Sequence, residues 1–85
     1  MTLEFVDNYI NKKINANEEF IRFTFYELRV KSDLTEEETN KFLELAKIKL
    51  ENLKYKVYFI GDTYEYKGKT KEIETNELLV AIKQD

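Results

Sequence analysis

The chain has 85 residues, 14 Lys and Arg against 17 Asp and Glu for a net charge of -3, and a 42% hydrophobic content that includes six Phe and six Tyr. That length makes one folded domain, 1–85, whose small core predicts modest stability. With no Cys and no His, it lacks disulfides, thiolate zinc sites and the commonest general base, while the acidic balance argues against direct nucleic-acid binding, which needs a strong basic excess.

In chain order, Thr2 is placed to cap a first helix, in which Leu3, Val6, Ile10 and Ile14 recur at spacings of three and four with Tyr9 beside them. "NANEE" predicts its end near Asn15 to Asn17, because Asn tolerates turn conformations. From Phe20 the period becomes two: Ile21, Phe23 and Phe25 alternate with Arg22 and Thr24, as in a strand. Beyond Phe25 the apolar phase slips to Leu28 and Val30. A β-bulge near Tyr26 and Glu27 is one expected reconciliation; a strand covered first on one face and then on the other is the alternative.

"SDLTEEETNKFLELAKIKLENLK" predicts a second helix. Thr35 and Glu38 form a capping-box pattern, and Glu36 and Glu37 sit where the helix dipole favours negative charge. Phe42, Leu43, Leu45, Ala46, Leu50 and Leu53 share an arc of about 160°, with Ile48 outside it. The remainder, "YKVYFIGDTYEYKGKTKEIETNELLVAIK", predicts one long hairpin turning at Gly68 and Lys69. Simple counting then sets Phe59 opposite Leu78, Val57 opposite Val80 and Tyr55 opposite Ile82, with Gly61 at a bulge or bend.

Together these elements predict an α+β fold of order α-β-α-β-β: a three-stranded, mainly antiparallel sheet, two helices on one face, and a long C-terminal β-hairpin. The stretch from Phe20 to Tyr58 is long enough for a right-handed crossover between parallel strands; the last strand could lie between them or at the edge, and the apolar run "ELLVAI" favours the middle. Tyr58, Ile60, Leu79 and Ala81 are then expected on a face that no helix covers, and an exposed apolar face of that kind marks a partner or self-association surface.

Catalytic and cofactor patterns are missing. Gly61 and Gly68 are the only glycines, which excludes a glycine-rich phosphate loop, and no calcium-loop spacing occurs among the acids. The expectation is a protein that is not an enzyme and uses no cofactor or metal. Phe20, Phe23 and Phe25 suit base stacking in type, but without an accompanying basic excess they read as core. No apolar run approaches membrane-spanning length and the N-terminus lacks a secretory pattern, so a cytoplasmic protein is expected.

The recognition feature is the polar end of the hairpin, where Tyr64 and Tyr66 are interleaved with Lys67, Lys69 and Lys71. Aromatic and cationic groups favour contact surfaces. The same residues also suit a plain strand whose lysines guard an exposed edge. The expected contact set is therefore Tyr64, Tyr66, Lys67, Lys69 and Lys71 with Tyr58, Ile60 and Leu79.

"LTEEETNKFLELAKIKLENLKYKVYF" followed by "NELLVAIK" resembles small uncharacterised phage and prophage proteins of low-GC Gram-positive bacteria. The resemblance covers roughly the C-terminal two thirds, contains no site motif and carries over no functional residues. It implies a setting in which compact acidic proteins act by binding a host or defence protein, as anti-CRISPR proteins do. Two further expectations compete. One is a dimeric sponge for a nucleotide-like signal, with Arg22, Arg29 and the hairpin lysines as anion contacts. The other is an assembly protein that forms a homodimer through its sheet.

Overall fold

A computed structural model describes residues 1–84 and shows an α+β fold. Helix α1 spans Leu3–Ala16, with the Thr2 hydroxyl accepting from the Phe5 N–H at 3.1 Å, as its capping position requires. Strand β1 spans Phe20–Thr24, and helix α2 spans Glu36–Asn52 behind a complete Thr35–Glu38 capping box. Strands β2 (Tyr55–Phe59) and β5 (Glu77–Lys83) enclose a shorter pair, β3 (Thr63–Tyr66) and β4 (Lys69–Glu72). The three-stranded sheet has the order β1-β5-β2, and β5 pairs antiparallel with both neighbours, so β1 and β2 run parallel. The expected central place of the last strand is correct, and its burial on both faces explains its unbroken apolarity.

Both helices cover one sheet face. Val6 and Ile10 of α1 and Phe42, Ala46 and Leu50 of α2 pack against Ile21 and Phe23 of β1 and Leu79 and Ala81 of β5. Phe5, Tyr9, Phe23 and Phe42 form an aromatic cluster there with edge-to-face and tilted contacts, the geometry that ring quadrupoles favour. Each fully buried Phe or Leu in this layer contributes about 1.5–3 kcal/mol relative to an exposed one.

Three expectations are corrected. First, no bulged strand continues past Phe25; Tyr26–Lys31 is a π-helical turn, with the Ser32 N–H bonding five residues back to the Glu27 carbonyl at 3.0 Å. Asp33, at φ 55°, then adopts a left-handed conformation that lets the Leu34 N–H reach the Leu28 carbonyl. Secondly, the pairing of β2 with β5 is shifted by one residue: Phe59 faces Leu79, Val57 faces Ala81 and Tyr55 faces Lys83. A shift of one exchanges the faces of a strand. Leu79 and Ala81 therefore belong to the helix-side core, and Val80 and Ile82 look the other way.

Thirdly, the hairpin is not one continuous ribbon. Phe59-Ile60-Gly61-Asp62 is a reverse turn: the Asp62 N–H bonds the Phe59 carbonyl at 3.0 Å, and Gly61 sits at φ 94°, as the third residue of a type II turn requires. The Asp62 carboxylate locks it by accepting from the Phe59 N–H at 2.9 Å. The chain beyond it makes its own two-stranded sheet, β3–β4, turning at Lys67 and Gly68, both at positive φ. Between the pairs Phe59–Leu79 and Thr63–Glu72, the outgoing limb needs only Ile60–Asp62, whereas the returning limb uses Ile73–Leu78. The turn lies one residue earlier than the expected Gly68–Lys69, which moves the pairing by two, and the longer returning limb moves it back by three, leaving the shift of one at the base.

Candidate functional site

The β3–β4 arm folds back over the sheet face that was expected to be open. Tyr64 and Ile73 pack on Val80 and Ile82, with Phe20, Tyr58 and Tyr66 around them. The ring of Phe20 lies 4.9 Å from that of Tyr66 and 6.1 Å from that of Tyr64, while Tyr58 is 5.6 Å from Tyr64. One strand face of the arm is thus a lid on the second core. Only side chains join the paired residues of the arm to the sheet below; its backbone bonds to the rest of the chain run through Asp62 and the Glu74–Glu77 turn.

This placement divides the expected contact set. Tyr64 is 6% exposed and Leu79 is fully buried, in opposite cores, so neither is presented to a partner. Tyr58 and Tyr66 are half-buried by the same packing, which leaves Ile60, Lys67, Lys69 and Lys71 exposed. Lys67 lies over the Tyr66 ring and Lys56 over the Tyr58 ring, which occupies the outer surface of both tyrosines with neighbouring ammonium groups. Burial raises the pKa of the Tyr64 phenol, Glu77 adds to the rise and Arg22 opposes it. Arg22 itself is paired with the buried Glu77 carboxylate at 3.2 Å, and that carboxylate also accepts from the Glu74 N–H. The arginine named for anion contact is therefore used to fasten the root of the arm.

With both faces of the sheet covered, the large apolar side chains that remain exposed gather elsewhere. Phe25, Tyr26 and Val30 are 45%, 63% and 55% exposed, all within the π turn or at its cap. The turn is held from beneath. Leu28 is fully buried, and Glu27 points inward, where Lys13 makes an ion pair with it, the Tyr9 hydroxyl donates to it at 3.2 Å and the Thr24 hydroxyl donates to it at 3.2 Å. The Glu27 N–H in turn donates to the Thr24 hydroxyl, so the turn begins at a helix-type cap. Lys13 also donates to the Arg22 carbonyl and lies over the Phe23 ring, coupling α1, β1 and the π turn at one point.

Burial pushes the Glu27 carboxyl up, but the hydrogen bond and charge of Lys13, with the Tyr9 and Thr24 hydroxyls, outweigh it and hold the group below its ordinary value. On the outer side, the Arg29 guanidinium lies over the Phe25 ring, 5.3 Å from its centroid. The result is a rigidly mounted surface of Phe, Tyr, Val and Arg, the residue types that dominate contact energetics apart from Val.

The sequence reading missed this surface, although "TFYE", Thr24 to Glu27, has the same T-x-x-E spacing as the capping box of α2. Read with the phase slip at Phe25, it signals a helical turn in place of a bulge. A second apolar feature, a shallow groove of about 370 Å³ between the outer sides of α1 and α2, is lined by Leu3, Leu45, Ile48 and Leu53. The Asp7–Lys49 ion pair, at 3.1 Å, lies along it and joins the two helices.

No protein-family model matches the chain, and no curated protein or solved structure is significantly similar to it. Among the described residues no helix is long and apolar enough to cross a membrane, and no group of three or more Asp and Glu is arranged to hold a metal ion.

Proposed function

We propose that the protein is a non-enzymatic binding protein that acts by protein–protein contact, and that the π turn, not the arm, presents its contact residues. The observation that supports this reading is the simultaneous exposure of Phe25, Tyr26 and Val30 on a turn whose inner side is fixed by Leu28 and Glu27. An exposed aromatic cluster on a preorganised mount loses little conformational entropy on binding. π-Helical turns, which are rarer than α-helical ones, also occur frequently at functional sites. For a domain of this size, leaving such side chains in water forgoes core that it needs, and a contact role gives that cost a purpose.

The setting we propose is phage infection, with a host defence complex as the target, in the manner of an anti-CRISPR protein. This part rests on the resemblance of the C-terminal two thirds to small phage proteins, and on the cytoplasmic reading of the sequence. Expression in a defence-bearing host should restore plating of a targeted phage, and Phe25→Ala with Tyr26→Ala should abolish the rescue without unfolding the protein. Rescue that survives this pair would remove the π turn from the mechanism. Absence of rescue by the wild-type chain across defence systems would remove the inhibitor reading.

A further inference from the structure

Among the charged groups of the contact surface, Arg29 is chemically unfinished. Arg22, Lys13, Lys47 and Lys49 each have a carboxylate within ion-pair distance; among the described residues Arg29 and Lys31, like the remaining lysines, have none. The one acid inside the π turn, Glu27, is spent inward on Lys13, Tyr9 and Thr24. The outer surface from Phe25 to Lys31 therefore carries two cations and three exposed apolar side chains, and the next acid in the chain is Asp33, beyond the turn. In a protein of net charge -3, the outward charges of this turn itself are thus both positive.

The chemistry of Arg29 says what such a surface can receive. The Arg29 guanidinium carbon lies over the Phe25 ring, 5.3 Å from its centroid, and a guanidinium offers its N–H groups as a planar fork. That fork matches a carboxylate bidentately, and charge-assisted pairs of this kind are about twice as strong as neutral hydrogen bonds.

We infer that the Phe25–Lys31 surface takes a short acidic and apolar segment of a partner protein: the Arg29 fork receives one of its carboxylates, and its apolar side chains cover Phe25, Tyr26 and Val30. The inference rests on the contact role proposed above and adds the chemistry of the partner. Single-stranded nucleic acid is the nearest competitor, because aromatic and cationic groups also bind bases and phosphates. Tracking a nucleic-acid backbone requires a row of cations, however, and the π turn offers only Arg29 and Lys31, since Lys13 lies inward on Glu27.

The test is a chemical-shift titration of the isotope-labelled full chain with three probes: a blocked Glu-Leu-Phe-Glu tetrapeptide, its Lys-Leu-Phe-Lys counterpart, and a short oligothymidylate. The acidic peptide alone should move the amides of Phe25 to Lys31 and the Arg29 side-chain signal, with a Kd of about 1 mM expected for so small a probe. Arg29→Lys, which keeps the charge but loses the fork, should weaken that binding about tenfold while the rest of the spectrum stays in place. Equal response to the basic peptide, a response to the oligothymidylate alone, shifts confined to another surface, no shift at all, or full binding by Arg29→Lys would each overturn the inference. If Phe25→Ala with Tyr26→Ala abolishes phage rescue while Arg29→Lys leaves it unchanged, the contact role stands and the acidic-segment inference falls. If neither variant changes rescue, both fall.

Discussion

The β3–β4 arm and the π turn each carry two aromatic residues within a short charged segment, Tyr64 and Tyr66 in one and Phe25 and Tyr26 in the other. Their fates are opposite: the arm lays Tyr64 on Val80 and Ile82, and the turn holds Phe25 and Tyr26 in solvent. The difference lies in how each segment is joined to the sheet. The arm follows a type II turn at Ile60 and Gly61 that sends it back across a bare apolar face, so its alternating side chains find a partner surface within the same chain. The π turn leaves the end of β1 with Leu28 and Glu27 directed inward, and Phe25 and Tyr26 before them and Val30 after them are left facing out. Aromatic content alone does not identify a contact surface; what counts is whether the chain has a dry face within reach of it.

The largest expected effect would come from removing the anchor of the arm. Tyr64→Ala deletes a buried ring and should cost about 3 kcal/mol, lowering the thermal midpoint by roughly 15 °C in a domain of this size. A melt within a few degrees of wild type would mean that the arm stands free, and the comparison would collapse. Gly61→Ala acts on the hinge of the same arm. No atom lies within 4 Å of the added Cβ, so the penalty is conformational, set by a φ of 94° that side chains rarely adopt. It should amount to about 1–2 kcal/mol. An unchanged urea midpoint would show that the arm does not depend on this turn.

Acid probes the mount of the π turn. Glu27 titrates below its ordinary value of 4.5 in the folded chain, so its ionised form favours folding. That contribution is complete above the unfolded value and is lost as pH falls through the lower, folded one. Glu27→Gln should therefore be less stable than wild type at neutral pH, and the gap in urea midpoints should close as pH is lowered from about 4.5. A gap that stays constant across this range would mean that the ion pair with Lys13 does not couple α1 to the turn. The smallest effect is expected at the exposed partner of Tyr64: Tyr26→Ala should change stability by no more than about 0.5 kcal/mol. Two tyrosines, one substitution and a several-fold difference in cost would state the contrast between the regions in a single pair of melts.

Much of the fold was legible in the sequence because its signals are local. The apolar spacing of α1 and α2, the Thr2 cap and the Thr35–Glu38 box each involve residues within one or two turns, and each appears as expected. The central position of β5 followed from its unbroken apolarity, which only burial on both faces explains. That same property hid the register. When Leu79 and Val80 are equally apolar, neither parity marks the helix side, and a shift of one residue leaves no trace in the pattern. The candidate site was hidden for a related reason: the T-x-x-E cap at Thr24 was present, but the strand alternation of Ile21, Phe23 and Phe25 ran straight into it and suggested a bulge.

The amino-acid sequence by itself determined that α1 and α2 are helical and where they begin, that β1, β2 and β5 are extended, and that no histidine, cysteine or glycine-loop chemistry is available, since these depend on neighbouring residues or on composition. Only the tertiary structure decided that the arm closes over the sheet, that Leu79 and Val80 belong to opposite cores, and that Phe25 and Tyr26 remain outside. Those outcomes depend on which distant apolar face lies within reach after each turn, and that competition for burial is settled by the assembled chain, not by any stretch of it.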